Sequence, residues 1–524
     1  MPTDASFDIV KSLSYTSVAP SLQKPLEGLP IEERVGGRMQ HGLVSRRTFL
    51  RAAGGAFIAA PLARGQTPRP PNIVLILCDD LGYGDLHSYG SAIATPNLDR
   101  MAQEGVRFRQ FYSTSNVCSP ARAALLTGRY ATRVGVPYVL SPQDSTGLPL
   151  SEEIIAEVLK PAGFSTMCVG KWHLGAQPQY LPTNRGFDEY YGIPYSNDQE
   201  PSILLHNADV IESPVQLDTL TQRYTREAVD FIARSSKHAP FFLYLAHTFP
   251  HIPLAVSAGF RGQSRLGLYG DVIEEIDWSV GQVLQALKDN GVDGTTLVMF
   301  TSDNGPWFLG SPGKLRGRKG SSYDGGVREP FIARFPGQIP RSSFLSARSS
   351  RTAPDSWSIL PGRVSGAVAT TLDILPTIAG LCNAALPKQP LDGVDIWPIL
   401  SGKQDGVDHE VFLYFDGWNL QCARLGAWKL HVSRYNDFPW SPDPVGGRYN
   451  LPLPVPELYN LEEDPDESYN VAADHPQTVA EIQARIQKLL PTFPVDVIDA
   501  WKATMSQQVY GVTDGALPVR ATQQ

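Results

Sequence analysis

Short, continuous runs of apolar residues recur along the chain, and each is followed at once by polar side chains. The first run, 72–78, is rich in β-branched residues and predicts a strand buried on both faces of a parallel sheet. Further runs at 164–169, 241–245 and 296–301 predict three more strands of the same kind. Strands of this type need helices on both faces of the sheet, so the pattern favours an α/β fold.

Helical patterns separate these strands. Thr95 is the predicted N-cap of a helix that has Pro96 at its first position and ends at Gly105. Apolar residues recur at helical spacing over 272–287 and predict a helix that covers the sheet, with Gly291 as its stop. The predicted fold is a large, mostly parallel sheet between helices. Because ligands bind outside the carboxyl ends of strands in such sheets, we expect the four strand ends to meet at one site.

The pattern changes towards the C-terminus. A helix at 371–377 is the last one predicted for the main domain. Short aromatic strands are then predicted at 411–415 and 427–432, followed by a final amphipathic helix at 479–490. These elements indicate a smaller α+β domain with a short antiparallel sheet and a helix. The Ser-, Arg- and Pro-rich segment 342–361 is expected to be an exposed insertion or a mobile loop.

The N-terminal region has the order of an export signal. Arg46 and Arg47 precede a mildly apolar run at 52–62 that ends in small residues, which resembles a twin-arginine signal. The run is shorter than the ~20 residues of a permanent membrane span. The alternative is a chance arginine pair in a leader. Cleavage near 64–67 would give a periplasmic or secreted protein, carried by the twin-arginine export machinery, and translation is expected to begin at Met39.

These observations predict three parts: a leader at 1–66, a catalytic domain at 67–405, and a small domain with a tail at 406–524. A length of 524 residues exceeds what one core supports, which agrees with two folded domains. The net charge of −8 provides no overall basic surface for nucleic acid, so a local cluster of cations must attract any anionic substrate. Five cysteines in so long a chain do not form a disulfide framework.

Acidic and amide side chains follow two of the predicted strands. Asp79 and Asp80 come directly after the first strand, and Asp303 and Asn304 come after the fourth. Either pair read alone is a turn sequence. Read together, they favour a metal site, because carboxylates crowded at one sheet edge repel one another unless a cation lies between them. Oxygen ligands of this kind suit Ca²⁺ or Mg²⁺.

One cysteine lies in a distinctive string. The string is Cys118-Ser119-Pro120-Ala121-Arg122, and it continues to Thr127-Gly128-Arg129. A lone cysteine is most often a small buried residue, and a thiol nucleophile needs a lowered pKa and a neighbouring base. Arg122 stands four residues after Cys118 and shares its face if a helix starts at the string.

The string resembles the signature of the sulfatases, a family within the alkaline phosphatase-like superfamily. Five further motifs match in the family's order, and the resemblance covers nearly the whole mature chain, most closely the arylsulfatase A group. They are Asp79-Asp80-Leu81-Gly82-Tyr83-Gly84-Asp85, Gly170-Lys171-Trp172-His173-Leu174-Gly175, Pro250-His251-Ile252-Pro253, Thr301-Ser302-Asp303-Asn304-Gly305, and Lys319-Gly320 with Tyr323 to Pro330. The segment after Pro340 departs from the family pattern.

The resemblance implies that a formylglycine-generating enzyme oxidises Cys118 to Cα-formylglycine. One hydroxyl of the hydrated aldehyde would then attack the sulfur of a sulfate ester and form a sulfo-enzyme intermediate. The implied metal is one Ca²⁺ ion, with Mg²⁺ as the lesser alternative. Its implied ligands are Asp79, Asp80, Cys118, Asp303 and Asn304.

The resemblance also implies the other roles. Fixed positive groups must surround the sulfuryl group, and the candidates are Lys171, Lys319 and Arg122. Asp303 is the expected acceptor of the proton from the attacking hydroxyl. His173 is the expected base that deprotonates the second hydroxyl and so releases sulfate. His251, with Lys319, is expected to stabilise or protonate the leaving alcohol. His247, just upstream of His251, is a candidate to support the site without direct contact with the substrate.

Two other functions fit the same residues. Related enzymes on this fold act on phosphoryl esters, so a phosphodiesterase or phosphonate monoester hydrolase is one alternative. A protein that binds sulfated ligands without catalysis, with Cys118 unmodified, is the other. The sequence does not choose among aryl, steroid, lipid and sugar sulfates as the natural substrate.

Overall fold

Ten strands form the main sheet of the protein, which we describe from a computed structural model of residues 69–337, 339–340, 356–407, 409–437 and 447–507. In their order across the sheet, the strands are β12 (Arg363–Thr370), β2 (Val106–Tyr112), β9 (Arg328–Arg334), β8 (Thr296–Ser302), β1 (Asn72–Cys78), β7 (Phe241–Ala246), β3 (Ser165–Gly170), β4 (Glu189–Gly192), β5 (Leu204–His206) and β6 (Asp209–Glu212). The predicted leader, with Arg46 and Arg47, lies outside the described residues.

The centre of this sheet is parallel. Strands β8, β1, β7, β3 and β4 lie side by side in parallel, and β9, β5 and β6 add antiparallel pairs towards the edges. Every residue of β1 is buried, because the strand has a parallel neighbour on each side and an apolar cluster on each face. The structure therefore confirms the predicted α/β fold and its four buried strands.

Helices cover both faces of the main sheet. They are α1 (Pro96–Gln103), α2 (Cys118–Thr127), α3 (Ile155–Leu159), α4 (Leu220–Ser235), α5 (Gly267–Asp289), α6 (Asp324–Val327), α7 (Ile374–Cys382) and α8 (Trp397–Leu400). Alternate residues of β1 enter the two clusters: Ile73 and Leu75 pack on one face, and Val74 and Ile76 pack against α5 on the other. Full burial of one such side chain contributes about 1.5–3 kcal/mol.

The start of α1 differs from its prediction. Thr95 occupies the N-cap position, but its hydroxyl accepts a hydrogen bond from the His87 N–H at 3.0 Å and caps nothing. The free N–H groups of Asn97 and Leu98 donate instead to Asp277 of α5, at 3.0 and 2.8 Å. A carboxylate at a helix N-terminus is favourable electrostatically, and this one also ties two helices together.

A second, antiparallel sheet follows the main one and confirms the predicted α+β architecture at the C-terminal end. Its strands are β13 (Phe412–Asp416), β14 (Asn419–Leu425), β15 (Trp428–Tyr435) and β16 (Asn450–Asn460), and it packs against α9 (Pro476–Leu489) and α10 (Val495–Met505). We call it the small sheet.

The prediction that 479–490 is the final helix was wrong. Only Val497 and Thr504 of α10 are buried, which is too few for a recognisable apolar period.

Two other predictions are not tested by the structure. Most of segment 342–361 lies outside the described residues. Strands β10 (Ile339–Pro340) and β11 (Ser356–Trp357), which come before and after residues 341–355, pair antiparallel. The domain boundary at 405/406 stays a prediction. Among the described residues, no helix has both the length and the apolar character that crossing a bilayer requires.

Buried charges join the small sheet to the main domain. Lys429 of β15 is fully buried, and its Nζ lies 2.8 Å from Asp324 Oδ1 and 3.2 Å from Glu467 Oε1. Glu467 Oε2 accepts the backbone N–H of Asp324 at 2.6 Å, and Glu467 Oε1 lies 2.7 Å from His431 Nε2. Asp324 begins α6, a few residues after Lys319. The small sheet therefore fixes the segment that carries Lys319.

We expect Lys429→Ala to destabilise the protein by about 3–5 kcal/mol, because it leaves Asp324 and Glu467 buried without their shared cation. Urea unfolding followed by fluorescence measures this. Lys502→Ala is the control, since the Lys502 side chain is 71% exposed and its ion pair within the described part of the chain is with exposed Asp499. Equal unfolding midpoints for the two variants would show that the buried group does not hold the small sheet in place.

Candidate active site

Segments at the carboxyl ends of four adjacent parallel strands form the candidate site. Asp79 and Asp80 follow β1, and Asp303 and Asn304 follow β8. Lys171 and His173 follow β3, and His247 and His251 follow β7. Lys319 comes from the loop before α6, and Cys118 and Arg122 lie on α2. The expected convergence of the four strand ends is therefore what the structure shows.

The two acidic motifs are bonded to each other. Asp80 has a φ of +65°, in the left-handed region, and its N–H donates to Asp303 Oδ1 at 3.2 Å. Asn304 Nδ2 donates to Asp80 Oδ1 at 2.8 Å. A non-glycine residue seldom adopts such a φ, because the conformation is strained. Residues strained in this way cluster at functional sites.

The acidic group fits a hard cation. Buried oxygens of Asp79 (Oδ1) and Asn304 (Oδ1) have no hydrogen-bond partner among the described residues. Ligand atoms of Asp79, Asp80 and His251 lie within 4.8 Å of one another. Burial and the neighbouring Asp79 charge raise the pKa of Asp303 to about 7, which a bound cation would oppose. Unpartnered oxygens beside crowded carboxylates are what Ca²⁺ or Mg²⁺ requires.

Arg122 links the helix of Cys118 to the acidic group. Its Nε donates to Asp303 Oδ2 at 3.0 Å, its Nη2 lies 2.8 Å from the same oxygen as an ion pair, and its Nη1 donates to the Lys171 carbonyl at 2.8 Å. The side chain is fully buried. Helix α2 starts at Cys118, so Arg122 lies one turn further along on the same side, as its spacing predicts.

Two lysines complete the set of cations. Lys171 Nζ binds Asp79 and donates to Ser196 Oγ at 3.0 Å. Lys319 Nζ lies 2.7 Å from Asp80 Oδ1. Each of the three carboxylates thus has a buried cation as a partner. Sequence reasoning missed Ser196, because a serine in a loop carries no signal of its own.

Both predicted catalytic histidines are neutral and have defined tautomers. His173 Nε2 donates to the Leu140 carbonyl at 2.8 Å, which leaves Nδ1 unprotonated and without a partner among the described residues. His251 Nδ1 donates to the Ile252 carbonyl at 2.6 Å, and its Nε2 faces Asp80 Oδ2 at 3.7 Å. Burial, reinforced by Lys171, lowers the pKa of His173 well below its usual value. Burial and Lys319 lower the pKa of His251.

Cys118 is an unreactive thiol in this setting. It is buried at the first turn of α2, and burial raises its pKa in spite of the nearby lysines. A thiol with a raised pKa is a poor nucleophile near neutral pH. The cations and histidines around it must therefore serve another chemical form of the residue or another group.

Comparison with known proteins decides the family. The model described as Sulfatase matches residues 71–384, and the model for the C-terminal region of aryl-sulfatase matches 407–508. The chain belongs to the sulfatase family. Arylsulfatase A of Bos taurus is 40% identical over 411 residues, which cover 71% of this chain and 76% of that protein. N-acetylgalactosamine-6-sulfatase of Homo sapiens is 39% identical over 397 residues, covering 70% and 72%.

Solved structures agree. A sulfatase from Pseudoalteromonas sp. superposes with a TM-score of 0.68 at 25% identity, over 84% of this chain and 92% of that one. The phosphonate monoester hydrolase of Agrobacterium radiobacter shares the fold, with a TM-score of 0.53 at 22% identity, over 80% and 95% of the two chains. The predicted family is confirmed, and this sulfatase is a sulfuric ester hydrolase.

Two further titratable side chains near the candidate site, His247 and Glu329, are fully buried. His247 is fully buried with Nε2 3.4 Å from Ser279 Oγ, and burial lowers its pKa to about 4. Glu329 is fully buried, and neither of its carboxyl oxygens has a partner among the described residues. Burial and then Asp303 raise the pKa of Glu329 well above its usual value, which favours its uncharged form. Sequence reasoning missed Glu329, because the motif around it offered no role for a buried carboxyl.

Divalent cations should stabilise the sulfatase through the acidic group. A cation at a hundredfold excess over its Kd raises the free energy of unfolding by about 2.7 kcal/mol, so adding Ca²⁺ after EDTA treatment should raise the thermal midpoint. Asp80→Asn should abolish this response. Asp85→Asn should retain it, because Asp85 is not a predicted ligand and its oxygens accept hydrogen bonds from Gly82, Ser311 and Tyr269. An identical Ca²⁺ response in Asp80→Asn would exclude the predicted ligands.

Acid should destabilise the sulfatase through His247. Below the usual histidine pKa of about 6.5, the unfolded chain binds a proton there that the folded protein excludes until about pH 4. Stability therefore falls as the pH decreases through this window, by about 2 kcal/mol from pH 7.5 to 5. His247→Gln should remove this part of the loss, measured by urea unfolding at each pH. His238→Gln, at an exposed position, should keep it.

Proposed function

We propose that this sulfatase cleaves a sulfate monoester to an alcohol and inorganic sulfate, with residue 118 acting as Cα-formylglycine. The supporting observation is that the thiol of Cys118 is unreactive, although charged groups suited to catalysis act on it. Burial raises the pKa of the Cys118 thiol, yet the charges of Lys171 and Lys319 act on it, and His173, two residues after Lys171, has an Nδ1 without a partner among the described residues. Oxidation to a hydrated aldehyde makes residue 118 a hydroxyl nucleophile that these groups serve.

Asp79, Asp80, Asp303 and Asn304 are the residues that would hold Ca²⁺, and residue 118 would complete the set. The bound ion would supply positive charge for the sulfuryl oxygens and favour deprotonation of the attacking hydroxyl. Mg²⁺ is the lesser alternative.

The fixed cations orient and bind the ester. Lys171 and Lys319 both act electrostatically on residue 118, and their ammonium groups would attract the sulfate of the substrate. Ser196 Oγ accepts a hydrogen bond from Lys171 at 3.0 Å and would help to position that ammonium group. Arg122 donates one hydrogen bond to Asp303 and forms an ion pair with it, which keeps that carboxylate oriented for the proton of the attacking hydroxyl.

The histidines move the remaining protons. The His173 Nδ1 lone pair is unpartnered, so it can accept the proton of the second hydroxyl when sulfate leaves and the aldehyde re-forms. His251 Nε2 lies 3.7 Å from Asp80 Oδ2, to which Lys319 is also paired, so His251 and Lys319 together would stabilise the departing alcohol oxygen, with the Lys319 ammonium group as the donor of its proton. Burial lowers the pKa of both histidines, which favours their neutral forms.

Maturation and export complete the proposal. A formylglycine-generating enzyme oxidises Cys118, and the twin-arginine signal at Arg46 and Arg47 directs the folded protein to the periplasm or the medium. Twin-arginine export carries folded proteins, so oxidation can precede export. N-terminal sequencing of the exported protein should find a start near 64–67.

The decisive experiment combines mass spectrometry with kinetics. Trypsin releases peptide 110–122 from protein made in its native host, and its mass should show an aldehyde in place of the thiol. The same protein should hydrolyse 4-nitrophenyl sulfate with a higher kcat/KM than 4-nitrophenyl phosphate. Cys118→Ala, the control, should retain the fold and lose activity by at least ~10³-fold.

Two results would contradict the proposal. An unmodified thiol in the active protein would remove the aldehyde mechanism. A clear preference for the phosphate ester would favour a phosphoryl ester hydrolase on the same fold.

A further inference from the structure

One backbone carbonyl beside the candidate site, that of Leu140, accepts two side-chain hydrogen bonds. His173 Nε2 donates to it at 2.8 Å, and Gln199 Nε2 donates to it at 3.1 Å. A carbonyl oxygen has two lone pairs, so it can accept from both donors at once. Because a carbonyl only accepts, this contact holds the proton of the neutral His173 ring on Nε2 and leaves the lone pair on Nδ1.

The segment that carries this carbonyl has no regular structure. The structure describes all of 128–154, and no helix or strand lies within it. Side chains orient the backbone there instead. The N–H of Leu140 donates to Ser119 Oγ of α2 at 3.0 Å, and the N–H of Ser141 donates to Asp144 Oδ2 at 2.6 Å. The direction of the Leu140 carbonyl therefore depends on individual hydrogen bonds.

Gln199 joins this carbonyl to a lysine of the site. Its Oε1 accepts the N–H of Ser196 at 3.0 Å, and Ser196 Oγ accepts from Lys171 Nζ at 3.0 Å. The partners determine the orientation of the Gln199 amide, because the Ser196 N–H only donates and the Leu140 carbonyl only accepts. One side chain thus spans the segments that contact Lys171 and His173.

His173 adopts a conformation that its neighbours must maintain. Its φ is +60°, in the left-handed region, and its N–H donates to the Pro194 carbonyl at 3.1 Å. Such a backbone persists only where the surroundings impose it. The ring itself is held through Nε2 by the Leu140 carbonyl. A change in the direction of that carbonyl would let the ring turn or carry its proton on Nδ1.

We infer that Gln199 is a positioning residue for the second step of the proposed reaction, in which sulfate is released. It orients the Leu140 carbonyl, which keeps the His173 lone pair on Nδ1. In that step Nδ1 takes the proton of the second hydroxyl, the O–H electron pair forms the C=O bond, and the C–O bond to sulfate breaks with its pair leaving on sulfate. The inference rests on the proposed function, whose first step does not use His173.

The test separates the two steps in Gln199→Met, which keeps a flexible side chain but forms neither hydrogen bond. Stopped-flow mixing of the full, modified protein with 4-nitrophenyl sulfate measures 4-nitrophenol release in the first turnover. The decay of the sulfo-enzyme mass after the substrate is exhausted measures sulfate release. Since one hydrogen bond changes an equilibrium by about three- to tenfold, sulfate release should slow by about that factor, and 4-nitrophenol release should stay within about twofold.

Two further variants locate the effect. Gln199→Glu keeps an acceptor for the Ser196 N–H, but its carboxylate cannot donate to the Leu140 carbonyl, so it should release sulfate as slowly as Gln199→Met. Gln143→Met is the matched control. Gln143 is exposed and joins the same two segments, with its Nε2 donating to the Glu200 carbonyl at 3.2 Å, so its variant should behave as the wild type.

The tautomer of His173 can be read without turnover. In protein with ¹⁵N-labelled histidine, the Nδ1 signal of His173 is identified by its absence from His173→Gln. It should have the shift of an unprotonated nitrogen in the wild type and move towards the protonated value in Gln199→Met.

The inference is overturned if Gln199→Met releases sulfate at the wild-type rate, slows both steps equally or leaves the Nδ1 signal unchanged. It is also overturned if Gln199→Glu matches the wild type, or if Gln143→Met is as slow as Gln199→Met. A wild type that does not hydrolyse 4-nitrophenyl sulfate would instead refute the proposed function, and the Nδ1 signal would still decide whether Gln199 fixes the tautomer.

Discussion

Burial of charge is the constraint on which the site depends. Three carboxylates and three cations lie at one edge of the sheet, and the most exposed of them, Lys319, is only 6% accessible. Each buried ion costs several kcal/mol in desolvation unless it has a well-placed partner. The partners come from different parts of the chain, because Asp79 and Asp303 depend on the pairing of β1 with β8, and Lys171 depends on β3. The site therefore exists only when the central strands are in register.

The same constraint acts a second time, where the small sheet meets α6. Lys429 is buried between Asp324 and Glu467, and Glu467 itself adopts a φ of +52° to reach this position. Such strain persists only where the surroundings impose it. Since Asp324 lies shortly after Lys319, the geometry of a site residue is set partly by a strand outside the main sheet. The small sheet thus belongs to the catalytic architecture as well as to the fold.

The limits of the sequence analysis follow from the same physics. Strand β1 was predictable because a strand with parallel neighbours on both sides is apolar throughout, whereas β2 mixes arginines with aromatic residues and gave no clear period. Asp79, Asp80, Asp303 and Asn304 were predictable because polar residues at strand ends converge by topology. Their partners were harder to find.

Ser196 and Glu329 show why. A loop serine becomes informative only when Lys171 is placed 3.0 Å from its hydroxyl. A buried carboxyl is neutral or charged according to its surroundings, and burial and Asp303 favour the uncharged form of Glu329. Neither property is local in sequence, so no motif contains it.

The buried charges explain why the family identifies the reaction but not the ester. The groups of the candidate site come from strand ends of the main sheet, and they are bound so closely to one another that a change in one leaves another unpaired. The small sheet is constrained in the same way, because Lys429 and His431 of β15 both contact the buried carboxylate of Glu467. Family membership therefore identifies the reaction, whereas the ester depends on residues outside these buried groups.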